Sequence, residues 1–169
     1  PLRAAINSGV AELSEWEGSE ETLAAIEKAV RLAGETRVSG TIPGPEEVED
    51  TLGGGWVAEE ALAVGLFCAL VAEDAVRAGA TPAEGYRRGA LVAVNHSGDT
   101  DSTGAICGSL LGARFGEECL PADWLADLEA RELIETVADD LALQFGSLWD
   151  EDAPTPEEFG PDLDRYPAW

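Results

Sequence analysis

Ala61-Leu62-Ala63-Val64-Gly65-Leu66-Phe67-Cys68-Ala69-Leu70-Val71-Ala72 is the longest apolar run of the chain, 12 residues bounded by Glu59, Glu60, Glu73 and Asp74. A bilayer-spanning helix needs about 20 apolar residues, so this run does not cross a membrane. Its length and acidic flanks predict a buried core helix from Val57 to about Arg77. The fold is built around it.

Outward from that helix the dominant period is helical. Leu23, Ile26, Val30 and Ala33 mark one face of an earlier helix, with Ser19 as its start and Gly34 as its stop. Another helix, Leu2 to Leu13, precedes it. Gly40, Pro43, Gly44, Pro45 and Gly53-Gly54-Gly55 punctuate a connector that holds a short helix from Glu46 to Leu52. On the other side, Thr81-Pro82-Ala83-Glu84 is a capping box with proline at the first helical position. It opens a helix carrying Tyr86, Ala90, Ala93 and Val94 on one face. In the next helix Gly104, Gly108 and Gly112 form a smooth groove for a neighbouring backbone, leaving Ile106, Leu110 and Ala113 to enter the core. Pro121 starts a further helical region, where Leu133, Val137, Leu141 and Phe145 form an i, i+4 ladder. No segment alternates as a strand, and the fold class is all-α. One domain is expected over 1–149, followed by an acidic tail over 150–169 that carries Pro154, Pro156, Pro161 and Pro167.

Composition narrows the partners. The chain has 34 Asp and Glu against 10 Lys and Arg, a formal charge of −24. Such a surface repels phosphodiester backbones and anionic lipid, so neither nucleic acid nor membrane is a partner. The acids are spread along the chain, as on a solvated surface. Cys68, Cys107 and Cys119 are odd in number, lack metal-ligand spacing and sit on or beside apolar patterns. They read as buried, reduced thiols of a cytoplasmic protein. The chain begins at Pro1 and contains no methionine, so a segment upstream of it is expected.

The chemistry concentrates in Asn95-His96-Ser97-Gly98-Asp99-Thr100-Asp101-Ser102-Thr103-Gly104. Hard divalent cations take carboxylate, hydroxyl and water oxygens. Two carboxylates two residues apart do not share a face within a helix. They converge if Asp99 lies in a turn and Asp101 in the first helical turn, with Gly98 permitting the bend and Ser102 or Thr103 adding a hydroxyl. The positive end of the helix then helps keep both acids ionised. Three readings compete. Asp and Ser/Thr before a helix are ordinary caps. Asp99-x-Asp101-x-Thr103-Gly104 matches the first half of a calcium loop, but its twelfth position is Leu110 where Glu is required. The third reading is a divalent-metal site. His96, the single histidine, offers a catalytic base or a structural hydrogen-bonding support, and reads as the support.

A second motif, Gly53-Gly54-Gly55-Trp56, runs straight into Val57-Ala58-Glu59-Glu60. Glycines before a helix expose amides that favour an anion such as a diphosphate. The same residues also make a plain flexible turn with a core tryptophan. No lysine follows the glycines, which excludes a P-loop.

Together the run NHSGDTDSTGAICGSLLGA from Asn95 to Ala113 and the segment GGGWVAEEAL resemble the ADP-ribosylglycohydrolase family, from about Gly53 to Gly116. The resemblance implies an all-α fold about twice this length, of which this chain is the C-terminal half. It implies hydrolysis of the glycosidic bond between ADP-ribose and an acceptor, often a protein side chain. Two Mg²⁺ or Mn²⁺ ions orient the ribose hydroxyls and the attacking water in that picture. Asp99, Asp101 and Ser102 become metal ligands, Thr103 supports the turn, and Gly55 and Trp56 line the substrate cleft, with Trp56 packing on a ribose or base. The family also carries a Thr/Ser-Asp-Asp motif and an early acid in its N-terminal half. Neither occurs in these 169 residues, since Asp139-Asp140 lies in the wrong part of the chain. Catalytic residues are therefore expected in a missing N-terminal half, which becomes a required partner. Its absence is expected to expose Leu62, Leu66 and Leu70. The alternative is a non-catalytic ADP-ribose-binding or crystallin-like structural protein.

Overall fold

A computed structural model gives the positions of residues 1–145. Among these residues eight α-helices and one short 3₁₀ turn are present and no strand, so the fold is all-α as expected. In chain order they are α1 (Leu2–Leu13), α2 (Glu20–Ser39), α3 (Pro45–Leu52), α4 (Ala58–Arg77), α5 (Pro82–Val94), α6 (Thr100–Phe115), the turn Glu117–Cys119, α7 (Ala122–Ala126) and α8 (Arg131–Phe145). The chain divides into two units, Pro1–Ala122 and Asp123–Trp169. The tail expected over 150–169 lies outside the described residues.

The apolar run forms the axis of the first unit. α4 packs against α2, α5 and α6, and its residues are buried from Ala63 through Glu73 without interruption. Phe67, Leu70 and Leu111 are among the largest fully buried side chains. Burying each contributes roughly 1.5–3 kcal/mol. Glu59 and Glu60 in the first turn of α4 and Arg77 in the last complement its dipole. Close helix packing uses Gly104 and Gly108 of the expected set, and also Gly65 and Gly89, which the sequence reading did not single out. A Cβ at Gly65 would meet Ile106 Cγ2 at 2.6 Å, and one at Gly89 would meet the Cys68 carbonyl oxygen at 2.8 Å. Of the α6 glycines, a Cβ on Gly104 would meet a Val94 methyl at 2.8 Å and one on Gly108 the Tyr86 hydroxyl at 3.1 Å, while Gly112 faces open space. The core face of α6 is Thr103, Cys107 and Leu111, while Ile106 and Leu110 are half-buried and Ala113 is exposed.

Several expectations are corrected. Gly34 does not end α2. The helix continues to Ser39 and stops at Gly40, whose φ of 73° is left-handed and whose N–H donates to the Thr36 carbonyl. Its buried face is Ala29, Leu32, Ala33 and Thr36, one step round from the predicted stripe. Leu66 and Leu70 are buried and Leu62 is half-buried, because α2, α5 and α6 already enclose α4. The exposed apolar side chains of this unit instead include Trp56, Val57, Leu91 and Val94. In the second unit Leu133, Leu141 and Phe145 of the ladder are exposed.

Glu73 reads in the sequence as a polar flank, yet its side chain is only 1% exposed. Oε1 accepts the Leu2 N–H at 2.9 Å and Arg114 Nε–H at 2.7 Å, and Arg77 Nε lies 3.8 Å from Oε2. It thereby satisfies an otherwise orphaned amide at the start of α1 and ties α1, α4 and α6 together. Burial pushes the Glu73 carboxyl up, but the arginines and the Leu2 amide outweigh it and hold it below its usual range. The capping box of α5 is present. Thr81 N–H donates to Glu84 Oε2 at 2.7 Å and Glu84 N–H to Thr81 Oγ1 at 3.2 Å. Cys68, Cys107 and Cys119 are free and buried. Burial pushes the Cys107 thiol up to about 12 and raises the other two, so these thiols stay protonated and inert. Among the described residues no helix is long and apolar enough to cross a membrane.

Candidate functional site at the start of α6

α5 ends at Val94, and five residues later the chain re-enters a helix with Asp99 at the N-cap position. A hydrogen-bond chain with one consistent proton arrangement holds this loop. Gly98 N–H donates to His96 Nδ1 at 3.1 Å, so Nδ1 carries the lone pair and Nε2 the proton. Nε2 lies 2.9 Å from Thr103 Oγ1 and donates to it. The Thr103 hydroxyl in turn donates to the Ala93 carbonyl at 2.7 Å. Thr103 is fully buried, and the Ala93 oxygen is one of the free carbonyls at the end of α5. His96 therefore braces both ends of the loop, matching the supporting role read from the sequence.

On the outer side Asp99 is the N-cap of α6 and Asp101 lies in its first turn. The Asp99 carboxyl sits below its usual range, first because of a hydrogen bond with the Asp101 carboxyl and then because of Ser102. Ser102 Oγ–H donates to Asp99 Oδ2 at 2.9 Å. All three predicted ligands thus gather at one helix start, with Asp101 exposed and Asp99 and Ser102 half-buried. Asp139 and Asp140 lie within α8, in the second unit. Among the described residues no group of three or more His, Cys, Asp or Glu side chains is placed to hold a metal ion. Two carboxylates and a hydroxyl are a hard-oxygen set suited to Mg²⁺ or Mn²⁺, but too few to fill an octahedron.

The glycine turn lies directly against this loop. Asp99 N–H donates to the Gly54 carbonyl at 2.8 Å. A Cβ on Gly98 would collide with that same carbonyl, and one on Gly55 would meet Thr103 Cγ2 at 2.9 Å. Ser97 Oγ–H donates to Glu49 Oε2. The two motifs read separately in the sequence therefore form one structure. The amides expected to face an anion are already engaged, however. Gly55 N–H and Trp56 N–H donate to Glu60 Oε2 at 3.1 and 3.3 Å. The chain's own carboxylate takes the place of a phosphate there. Trp56 is 71% exposed and is no core tryptophan. Sequence reasoning missed Glu49 and Glu60. Their signal is slight: Glu60 is the third residue of α4, where an acid ordinarily reaches back to the helix start.

Beside the loop, Pro43, Pro45, Val48, Leu91, Val92, Asn95 and His96 line an apolar cleft of about 200 Å³.

Among the described residues the core is all-helical, and α6 begins with Asp99, Asp101 and Ser102. Residues 1–151 match the model of the ADP-ribosylglycohydrolase family, and the chain belongs to that family. A 38-residue stretch is 45% identical to the protein named ADP-ribosyl-[dinitrogen reductase] glycohydrolase of Rhodospirillum rubrum. That stretch covers 22% of this chain and 13% of the relative. No solved structure matches the chain.

Proposed function

We propose that the chain carries one side of the active site of a divalent-metal-dependent glycohydrolase, which cleaves the bond between ADP-ribose and a protein side chain or a small acceptor. The observation that carries the reading is the placement of Asp99 at the N-cap of α6, with Asp101 in its first turn and Ser102 Oγ–H donating to Asp99 Oδ2. Carboxylate and hydroxyl oxygens gathered at one helix start are the ligands a hard divalent cation takes. Asp99 and Asp101 would hold the ion through carboxylate oxygens and Ser102 through its hydroxyl. Two Mg²⁺ or Mn²⁺ ions, when bound, supply Lewis acidity that orients ribose hydroxyls and activates water.

This chain's own residues do the positioning. His96 and Thr103 fix the loop from behind, and the Gly54 carbonyl fixes the Asp99 amide. Trp56, exposed beside the loop, offers an indole face for a ribose or base. The remaining ligands and the catalytic acid or base come from outside the described residues, in a further portion of the same protein. The small number of ligating side chains gathered here favours a second reading, an ADP-ribose-binding or crystallin-like structural protein.

The test uses the full-length protein and Mg²⁺-dependent release of ADP-ribose from ADP-ribosyl-arginine and ADP-ribosyl-serine peptides. Release that disappears in Asp101→Ala is expected. A folded protein that takes up Mn²⁺ and ADP-ribose yet releases nothing from either peptide selects the binding reading.

A further inference from the structure

We propose that Glu60 is a positioning residue that aims Asp99 at the cation, acting through the Gly53–Gly55 turn. The inference rests on the metal reading of Asp99, Asp101 and Ser102 given above, and adds to it a residue on a different helix.

Three observations link Glu60 to Asp99. The first is the reach of the Glu60 side chain. In an ordinary capping box the acid at the third helical position returns to the N-cap amide. Here the N-cap is Val57, and Glu60 Oε2 passes it to accept from Trp56 N–H at 3.3 Å and Gly55 N–H at 3.1 Å. One carboxylate oxygen thus gathers the two amides that precede the cap. Second, the path is kept clear. A Cβ on Gly53 would strike the Glu60 side chain, and Gly53 has a φ of 92° that L side chains rarely adopt. Third, the gathered turn presents its remaining carbonyl to the metal loop. Gly54 O accepts the Asp99 N–H at 2.8 Å, and Gly98 lies against the same carbonyl with no room for a side chain. Gly55 closes the contact on Thr103 Cγ2 and the Asp99 backbone.

Asp99 is therefore held from two sides. His96 and Thr103 grip the loop from the core, and the turn grips its amide from outside. Only the second grip depends on Glu60. Without the Glu60 carboxylate, the Gly55 and Trp56 amides turn to water and three consecutive glycines regain their freedom. The Gly54 carbonyl then no longer stands at one position, and the Asp99 carboxyl loses its fixed approach to Asp101 and Ser102.

The experiment compares the full-length protein with Glu60→Ala, Glu60→Asp, Glu60→Gln and Asp101→Ala. Two quantities are read: Mn²⁺ affinity, from the free-ion electron paramagnetic resonance signal, and hydrogen exchange at the Asp99 amide without metal. Glu60→Ala is expected to weaken Mn²⁺ binding about tenfold and to speed Asp99 exchange about tenfold, with Leu70 and Val71 exchange in α4 unchanged. Glu60→Asp, one methylene short of both amides, shows the same direction and stands in if the alanine variant does not fold. Glu60→Gln, whose amide oxygen still accepts, restores both readouts to within about twofold. Folded alanine and aspartate variants with wild-type Asp99 exchange and wild-type Mn²⁺ affinity overturn the inference. Mn²⁺ affinity unchanged in Asp101→Ala defeats the metal reading instead, and Asp99 exchange alone then decides whether Glu60 holds the loop.

Discussion

Gly98 and Thr103 show how little of a site's architecture belongs to its ligands. Gly98 has no room for a methyl group, because the Gly54 carbonyl occupies that space. Gly98→Ala therefore separates the turn from the loop and is expected to cost about 2 kcal/mol, with Mn²⁺ affinity falling alongside. Denaturant unfolding with a metal titration checks both, and a variant with unchanged midpoint contradicts the close approach. Thr103 has one hydroxyl that accepts from His96 and donates to Ala93. Thr103→Val keeps the shape, removes the hydroxyl and leaves the Ala93 carbonyl buried and unpaired, for an expected loss of about 1–3 kcal/mol. The ligands themselves were legible in the sequence, since Asp99, Asp101 and Ser102 sit at a recognisable helix start. Their supports were not. A backbone carbonyl such as that of Gly54 carries no sequence signature, and Glu60 looked like any acid that favours the first turn of a helix.

Most of the helix packing among the described residues of the first unit runs through α4. The 12-residue apolar run fixed the identity of that central helix, because no other segment could be surrounded on all sides. What the run could not disclose is which neighbouring glycines would touch it. Glycine at 104, 108 and 112 is regular, and its first two members meet side chains of α5, while Gly85 and Gly89 form a shorter pair that abuts the Ala72 and Cys68 backbone carbonyls of α4. Periodicity tells that small residues share a face, and only packing tells which face is used. Gly89→Ala places a Cβ 2.8 Å from the Cys68 oxygen and 2.9 Å from Ala72 Cβ. It should destabilise by about 1–3 kcal/mol, whereas Gly112→Ala, with open space around it, should gain up to about 1 kcal/mol from helix propensity. Equal midpoints for the two alanine variants would refute this assignment of the contact. The end of α2 departs from the sequence pattern for a related reason. A glycine within a helix costs only about 1 kcal/mol, which the burial of Leu32, Ala33 and Thr36 on either side of Gly34 offsets.

Across the whole molecule, acid has two opposed effects. A formal charge of −24 repels itself at neutral pH, and protonating surface carboxylates relieves that strain. Glu73 works the other way. Its carboxyl is held below the usual range in the folded chain, so the unfolded chain takes up the proton first. The stability it confers is complete above the unfolded carboxylate value of about 4.3 and drains away as pH falls through the lower folded value. The two effects cannot be separated in one acid titration of the native protein. They separate in the difference between that protein and Glu73→Gln, because both share the same surface. At pH 7 the variant leaves Arg114 facing a neutral amide, and with Arg114 about one-third exposed the loss should be about 2–3 kcal/mol. Added salt raises the midpoints of both proteins by screening the surface and leaves most of the difference between them. As pH falls below the unfolded carboxylate value the two midpoints should draw together. A gap that persists undiminished to pH 3 would mean that Glu73 contributes packing and hydrogen bonds to this core but no net charge.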